Sequence, residues 1–312
     1  MAAKPVTTAA QQPIRFGRAE QVQAAVVAAV FIAAFWYQLG FVPPALGTLV
    51  GPWVYEEDWS HGPLIPLFSA YLVYLNWERV RRCRVRHTWS GLPLMLGGFL
   101  VYVLTQAGIV PYAYCAPLGM MLCLLGVIIW LCGLPVMRHA WLPWAYLFFA
   151  VPLPSTVYAR LTEPLRRMAA TVVEGVLNGL PGLHIVRSGT TLMYFHGASS
   201  GQIGIEDACS GMRSTITLCA LGVAVAFMSE RALWQRALLI LSCIPIATFC
   251  NFIRVTITCW LHIFVDPKYA SGMYHRMLGL AVILLAFGIF SGIGWILDHI
   301  VVEEAEAEPA AG

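Results

Sequence analysis

The sequence predicts an all-α integral membrane protein, and three observations support this fold class. Hydrophobic residues occupy 59% of the 312 positions and charged residues 11%, a balance far from that of soluble domains. The apolar residues form runs long enough to cross a bilayer. Lys and Arg are concentrated in alternate connections between these runs, as in polytopic membrane proteins. We therefore expect about eight transmembrane helices in a single polytopic membrane domain, residues 1–312.

The eight predicted spans are separated by polar or proline-containing connections. The first is too long for the core of a signal peptide and is interpreted as an uncleaved span. In chain order the predicted spans are Val22–Val42, Gly62–Trp77, Leu92–Ile109, Ala116–Leu134, a fifth ending in Val151-Pro152-Leu153-Pro154, Cys209–Met228, Ala237–Ile263 and His275–Leu297.

The segment between the fifth and sixth spans has a different pattern. Apolar residues recur at helical spacing in Tyr158–Leu180, with charged residues on the other faces, which predicts an interfacial amphipathic helix. Thr190–Phe195 and Gln202–Asp207, separated by His196–Gly201, predict a short β-hairpin that delivers the chain to Cys209.

The distribution of positive charge predicts the orientation in the membrane. Eleven Lys and Arg residues fall in the N-terminus and in the connections after spans two, four and six. The three short connections on the opposite side, at 43–61, 110–115 and 264–274, contain one Lys or Arg residue in all, Lys268. The positive-inside rule then places both termini in the cytoplasm, and the amphipathic helix and hairpin on the outer side of the cytoplasmic membrane.

The net charge of +3 could suggest an acidic partner, but the position of the basic residues relative to the membrane explains it better. We therefore expect the lipid bilayer, and no nucleic acid, as a partner. The nine cysteines are odd in number and lie mostly in apolar segments, without a disulfide framework or metal-ligand spacing. No metal and no other cofactor is predicted.

The candidate nucleophile is Cys209, in the sequence Glu206-Asp207-Ala208-Cys209-Ser210-Gly211-Met212-Arg213-Ser214. If the apolar run from Ser210 is a helix, Cys209 lies at its N-terminus, where unpaired N–H groups and the helix dipole favour a thiolate. Arg213 lies one turn further on, and its charge lowers the thiol pKa again. The alternative is that Cys209 is a small packing residue, as most cysteines in membrane helices are.

Two further residues are predicted to lie at the depth of Cys209. Arg254 falls about two-thirds of the way along the outward-running seventh span, and His275 opens the eighth at its outer end. An arginine inside the membrane costs about 2.5–3.5 kcal/mol, which favours a functional role over a snorkelling or ion-paired side chain. Asn251 lies one turn below Arg254 on the same face. Cysteine, histidine and arginine supply a nucleophile, an acid or base, and an oxyanion donor.

These motifs resemble those of the exosortase/archaeosortase family. The resemblance is carried by Ala208–Ser214, by Asn251-Phe252-Ile253-Arg254-Val255 and by His275 with Gly279, with further similarity at Ser60-His61-Gly62 and at Val151–Pro154. It covers residues 60–290 in spaced blocks. It implies a multi-pass cysteine transpeptidase that cleaves C-terminal sorting tails such as PEP-CTERM through an acyl-thioester, with Cys209, Arg254 and His275 as catalytic residues. Arg213, Asn251 and His61 are expected to contact the substrate.

Two other functions are compatible with the sequence. In a membrane transporter or an exopolysaccharide-assembly component, Arg254 and the outer carboxylates of Glu56, Glu57 and Asp58 would bind a polar solute; polar groups at the bilayer midplane would favour this reading. Here they gather near one surface instead. A purely hydrolytic intramembrane protease would use the same residues and differ only in the acceptor.

Overall fold

The computed structural model describes residues 18–40, 49–83, 86–112, 114–205, 211–270 and 272–300. Within these ranges the protein is mostly helical, with one small sheet, as an integral membrane protein of this composition should be. Contacts divide the chain into two compact units, Met1–Pro154 and Ser155–Gly312.

In the described part of the first unit, all regular secondary structure is helical. Two single turns of 3-10 helix, Glu57–Trp59 and Leu147–Ala150, accompany the α-helices. The α-helices of this unit are α1 (Arg18–Ala34), α2 (Val50–Tyr55), α3 (Leu64–Leu75), α4 (Trp77–Arg81), α5 (Gly91–Gln106), α6 (Cys115–Cys132) and α7 (Leu134–Tyr146).

The second unit contains the remaining helices and the sheet. A turn of 3-10 helix, Pro267–Ala270, precedes its last helix. Its elements are α8 (Ser155–Leu177), β1 (Leu183–Ser188), β2 (Thr191–His196), β3 (Ser199–Gly204), α9 (Gly211–Met228), α10 (Leu233–Phe264) and α11 (Gly272–Ile300).

The predicted spans coincide with helices, but the helices differ in length. Among the described residues, three helical stretches are long and apolar enough to cross a membrane: Cys115–Cys132, Leu233–Phe264 and Gly272–His299. Four shorter apolar helices, Val22–Ala34, Leu64–Leu75, Gly91–Gln106 and Arg213–Met228, match the first, second, third and sixth predicted spans. The membrane character is confirmed, whereas the count of eight spans stays a prediction.

Helices α5 and α6 pack closely because four glycines line their contact. Gly91 and Gly98 on α5, and Gly119 and Gly126 on α6, are each seven residues apart and therefore lie on one face. A Cβ atom on Gly98 would meet the backbone nitrogen of Cys123 and lie 2.6 Å from the carbonyl oxygen of Gly119. Small residues at such a seam let backbones approach and gain van der Waals contact in a membrane.

We expect Gly98→Ala to lower stability by about 1–3 kcal/mol, because the added methyl group meets backbone atoms that cannot rotate away. The adjacent Gly97→Ala is the matched control, since a Cβ atom there meets nothing within 4 Å. It should be neutral or slightly stabilising through better helix propensity. Thermal unfolding of both variants in detergent checks this, and equal melting temperatures would contradict the seam.

Helices α9, α10 and α11 form an antiparallel bundle within the second unit. Their shared apolar core includes Leu218 of α9, Cys243 of α10 and Phe290 of α11. At one end, Arg231, which precedes α10, donates to both carboxylate oxygens of Asp298 at 2.6 Å. This ion pair defines the end of the bundle opposite to the candidate site.

The sheet corrects the predicted hairpin. Three antiparallel strands are present in the order β1-β2-β3, and β1 had no counterpart in the prediction. The loop predicted at His196–Gly201 is wrong, because β3 begins at Ser199 and the turn is only Gly197-Ala198. Gly197 has φ +58°, and a two-residue hairpin turn with glycine first in positive φ is a favoured type. The predicted second strand Gln202–Asp207 therefore ends at Gly204, and 206–207 lie outside the described residues.

Helix α8 is the predicted amphipathic helix, with bounds Ser155–Leu177 in place of Tyr158–Leu180. The face that packs on the protein carries small and medium side chains: Ala169, Ala170, Val173 and Leu177, which join the core of sheet and α10. The predicted apolar stripe lies on another face, and its members Leu161, Met168 and Val176 are exposed. An exposed apolar face suits a helix that lies in a membrane interface, which stays a prediction.

Candidate active site

The candidate nucleophile segment joins the start of α9. The helix begins at Gly211, two positions after Cys209. Cys209 itself, with Glu206, Asp207, Ala208 and Ser210, lies outside the described residues. Arg213 is the third residue of α9 and is half-buried.

Arg254 lies on α10 and is buried in the protein. Residue Arg254 is 3% exposed and Asn251 is 2% exposed. The Nη2 atom of Arg254 donates to Oδ1 of Asn251 at 3.3 Å. The three-residue spacing on one helix brings the two side chains together, as the sequence predicted. A buried guanidinium held by an amide oxygen is a fixed positive group, suited to stabilising negative charge on a nearby oxygen.

The three bundle helices bring their candidate residues toward one end. A cavity of about 30 Å³ between them is lined by Ser214 of α9, Cys250 of α10 and Val282 of α11. Arg213 of α9 and Arg254 of α10 lie beyond the level of this cavity, on the side away from the Arg231–Asp298 ion pair. Arg254 is one helical turn beyond Cys250.

His275 lies in the same direction along α11. It is seven residues before Val282, so its backbone is about 10 Å further along the helix axis. The residue belongs to the first turn of α11, and its side chain lies outside the described part of the chain.

The sheet packs on the part of α10 that carries Arg254. Val255 and Cys259 of α10 share a buried core with Ile203 of β3 and with Ile205, which directly follows the strand. The neighbouring residue Arg254 is therefore on the part of α10 that the sheet covers. The sequence predicted that a hairpin precedes Cys209 but not that it packs on the helix carrying the arginine.

Two polar residues, one near the end of α8 and one just after it, hold the sheet by hydrogen bonds, and the sequence pattern did not predict this role. Asn178, just after α8, donates through Nδ2 to the carbonyl oxygen of Ile185 at 3.0 Å and accepts from the N–H of Ile185 at 2.7 Å. Glu174 accepts from the N–H of Arg187 at 3.2 Å. Both residues bind backbone groups of β1, and the sequence analysis did not predict this strand.

His61 belongs to the first unit and is described there by itself. The residue is 7% exposed, and the Nε2 atom of its imidazole lies 3.3 Å from the carbonyl oxygen of Phe149. Since a carbonyl only accepts hydrogen bonds, Nε2 is the donor. A contact of His61 with substrate stays a prediction.

The described part of the chain holds no group of three or more His, Cys, Asp or Glu residues arranged to bind a metal ion. Eight cysteines are described there, and all are free thiols.

Comparison with known proteins identifies the family. No curated protein and no solved structure matches the chain. The family model of the transmembrane exosortase matches residues 53–292, which is more than half of the chain and includes Cys209, Arg254 and His275. The resemblance found in the sequence is thereby confirmed, and the chain belongs to the transmembrane exosortase family.

Proposed function

We propose that this protein is a cysteine transpeptidase that removes C-terminal sorting tails, such as PEP-CTERM, from exported proteins at the outer face of the cytoplasmic membrane. The observation that supports it best is the buried pair of Arg254 and Asn251. It lies toward the end of the bundle where the Cys209 segment joins α9. A charge buried in a membrane protein is costly and is retained where it has a function.

In the proposed reaction, the thiolate of Cys209 attacks the carbonyl carbon of the scissile peptide bond. The carbonyl oxygen becomes an oxyanion, and the guanidinium of Arg254 donates to it. The C–N bond then breaks, His275 protonates the leaving amine, and an acyl-thioester remains on Cys209. An amine or water resolves the thioester and restores the thiol.

The remaining candidates have supporting roles in this proposal. Arg213 lowers the pKa of the Cys209 thiol and contacts the tail. Asn251 holds the guanidinium of Arg254 in place, and His61 contacts substrate. Both termini lie in the cytoplasm, and the site opens toward the outer surface.

Trapping the acyl-thioester tests the reaction class. Neutral hydroxylamine attacks thioesters, so its addition during turnover should release the reporter protein as a C-terminal hydroxamate. We expect mass spectrometry to find this product with the wild-type protein and a PEP-CTERM reporter. Cleavage that proceeds normally without any hydroxamate would exclude the covalent intermediate.

A further inference from the structure

The two edges of the three-stranded sheet differ in their hydrogen bonding. At the β1 edge, the side chain of Asn178 pairs with both backbone polar groups of Ile185, at 2.7 and 3.0 Å. The next outward N–H on that edge, of Arg187, donates to Glu174 at 3.2 Å. The side chains of α8 and its end thus close this edge against another strand.

The strand register shows which backbone groups point outward at the β3 edge. Ile185 directs its N–H and C=O away from β2, and this direction alternates along an antiparallel strand. Ile185 is opposite Tyr194, which is opposite Gly201, so Gly201 directs its polar groups toward β2. The N–H of Ile205, which has the same parity, donates to Thr190 at 2.9 Å. The residues with outward N–H and C=O groups are therefore Ser200, Gln202 and Gly204.

Among the described residues, no strand or side chain pairs with the β3 edge. Within the described ranges, no hydrogen bond involves the outward backbone groups of Ser200, Gln202 or Gly204. Ser200 and Gln202 are exposed, and Gly204 is half-buried. Natural edge strands are commonly protected by charged residues, proline or bulges, and Ser199–Gly204 has no charge and no proline.

The open edge also leads directly to the candidate nucleophile. Ile203 shares a buried core with Val255, the neighbour of Arg254. Cys209 follows Gly204 by five residues, so chain connectivity keeps the two Cα atoms within about 19 Å. An extended peptide of about five residues paired with β3 spans about 17 Å, which matches this reach.

We propose that the β3 edge binds an extended segment of the sorting tail, next to the scissile bond, by adding it to the sheet as a fourth strand. This inference rests on the proposed function, because it assigns a subsite to the same reaction. Main-chain hydrogen bonds supply the affinity in this mode of recognition, while side-chain pockets supply specificity. Pairing with β3 holds the tail extended and fixes which peptide bond faces Cys209.

Gln202→Pro, compared with Gln202→Ala, tests the edge in cells that express a PEP-CTERM reporter. Proline removes an outward N–H that makes no bond to β2 and places a ring where the tail would pair. We expect tail removal by Gln202→Pro to be at least about tenfold slower than by Gln202→Ala, which keeps the N–H. Membrane insertion and alkylation of Cys209 should be the same in both. Equal cleavage rates would overturn the proposal.

A second measurement uses the wild-type protein and so does not depend on the folding of a variant. Synthetic peptides that span the cleavage region of the reporter tail are each methylated at one backbone nitrogen. Strand addition predicts that KM varies with the methylated position with a period of two residues. A methyl group on each N–H that points toward β3 should raise KM at least about 2- to 12-fold, and a methyl group on the positions between them should not. A KM that does not alternate over at least four positions would overturn the proposal.

Three outcomes separate this inference from its alternatives. If Cys209→Ala is inactive while Gln202→Pro matches Gln202→Ala, the edge proposal fails and the transpeptidase survives. If Cys209→Ala still removes the tail, the proposed function itself fails. Should Gln202→Pro abolish a dimer without changing the cleavage rate, β3 pairs with a second copy of this chain, and the tail-binding role is rejected.

Discussion

Cys209→Ala should abolish tail removal, with a loss of at least about a thousandfold in rate, because it removes the thiol that forms the acyl intermediate in the proposed reaction. Removing the nucleophile of a covalent protease typically costs on the order of 10⁴- to 10⁶-fold. Cys209→Ser should be nearly as inactive, since a serine hydroxyl is far less acidic than a thiol and is little ionised beside Arg213. Tail removal is measured as the mass shift of a PEP-CTERM reporter.

The control for this experiment is Cys219→Ala, which makes the same change at a cysteine of α9, ten residues further along the chain. Cys219 is a half-buried free thiol at a packing position. It should retain cleavage, and both variants should insert into the membrane in normal amount. Normal processing by Cys209→Ala would rule out the hypothesis that Cys209 is the nucleophile, and it would favour the transporter hypothesis instead.

Arg254→Lys should lose activity nearly as fully as Arg254→Ala. A planar guanidinium presents several donors in a fixed geometry, and Asn251 holds it through a hydrogen bond of 3.3 Å. The ammonium of lysine is a point charge that loses its proton readily when it is buried. Loss of one oxyanion donor costs about 100- to 1,000-fold in rate. We therefore expect this loss in cleavage, with a smaller change in the alkylation rate of Cys209.

Arg231→Lys is the matched control, because it makes the same substitution at the opposite end of the bundle. Arg231 forms an ion pair with the partly exposed carboxylate of Asp298, a site where lysine can also pair. The control should cleave at close to the wild-type rate. If Arg254→Lys cleaves normally, an oxyanion role is excluded; if alkylation of Cys209 collapses across the pH range, Arg254 instead ionises the nucleophile.

The pairing of Asn251 with Arg254 could be predicted from the sequence because it is local. Two residues three positions apart on a helix are neighbours whatever surrounds them. Helical spacing also predicted α8 and an apolar stripe on it. It did not show that the apolar residues of α8 form two faces, one exposed and one packed on the protein. Ala169 and Val173 pack on the protein, whereas Leu161 and Val176 are exposed. Which apolar face of α8 packs on the protein depends on the sheet and on α10, which lie against it. The spacing of apolar residues within the helix carries no information about these other segments.

The glycines of α5 and α6 show the same division. A seven-residue spacing is visible in the sequence, but Gly97 and Gly98 are adjacent and only one of them meets the other helix. The direction of each residue about the helix axis follows from the packing, which a list of glycines does not supply.

The sequence by itself determined the membrane character, the helical segments, the family and the motif residues, because composition and short-range spacing carry that information. Only the tertiary structure decided that β1 completes the sheet, that Asn178 and Glu174 close one of its edges, and that β3 shares a buried core with Val255, the neighbour of Arg254. These are contacts between residues distant in the chain. Hydrogen bonds and packing between distant segments depend on how the fold brings those segments together. The sequence pattern of one segment alone is compatible with many different sets of such contacts.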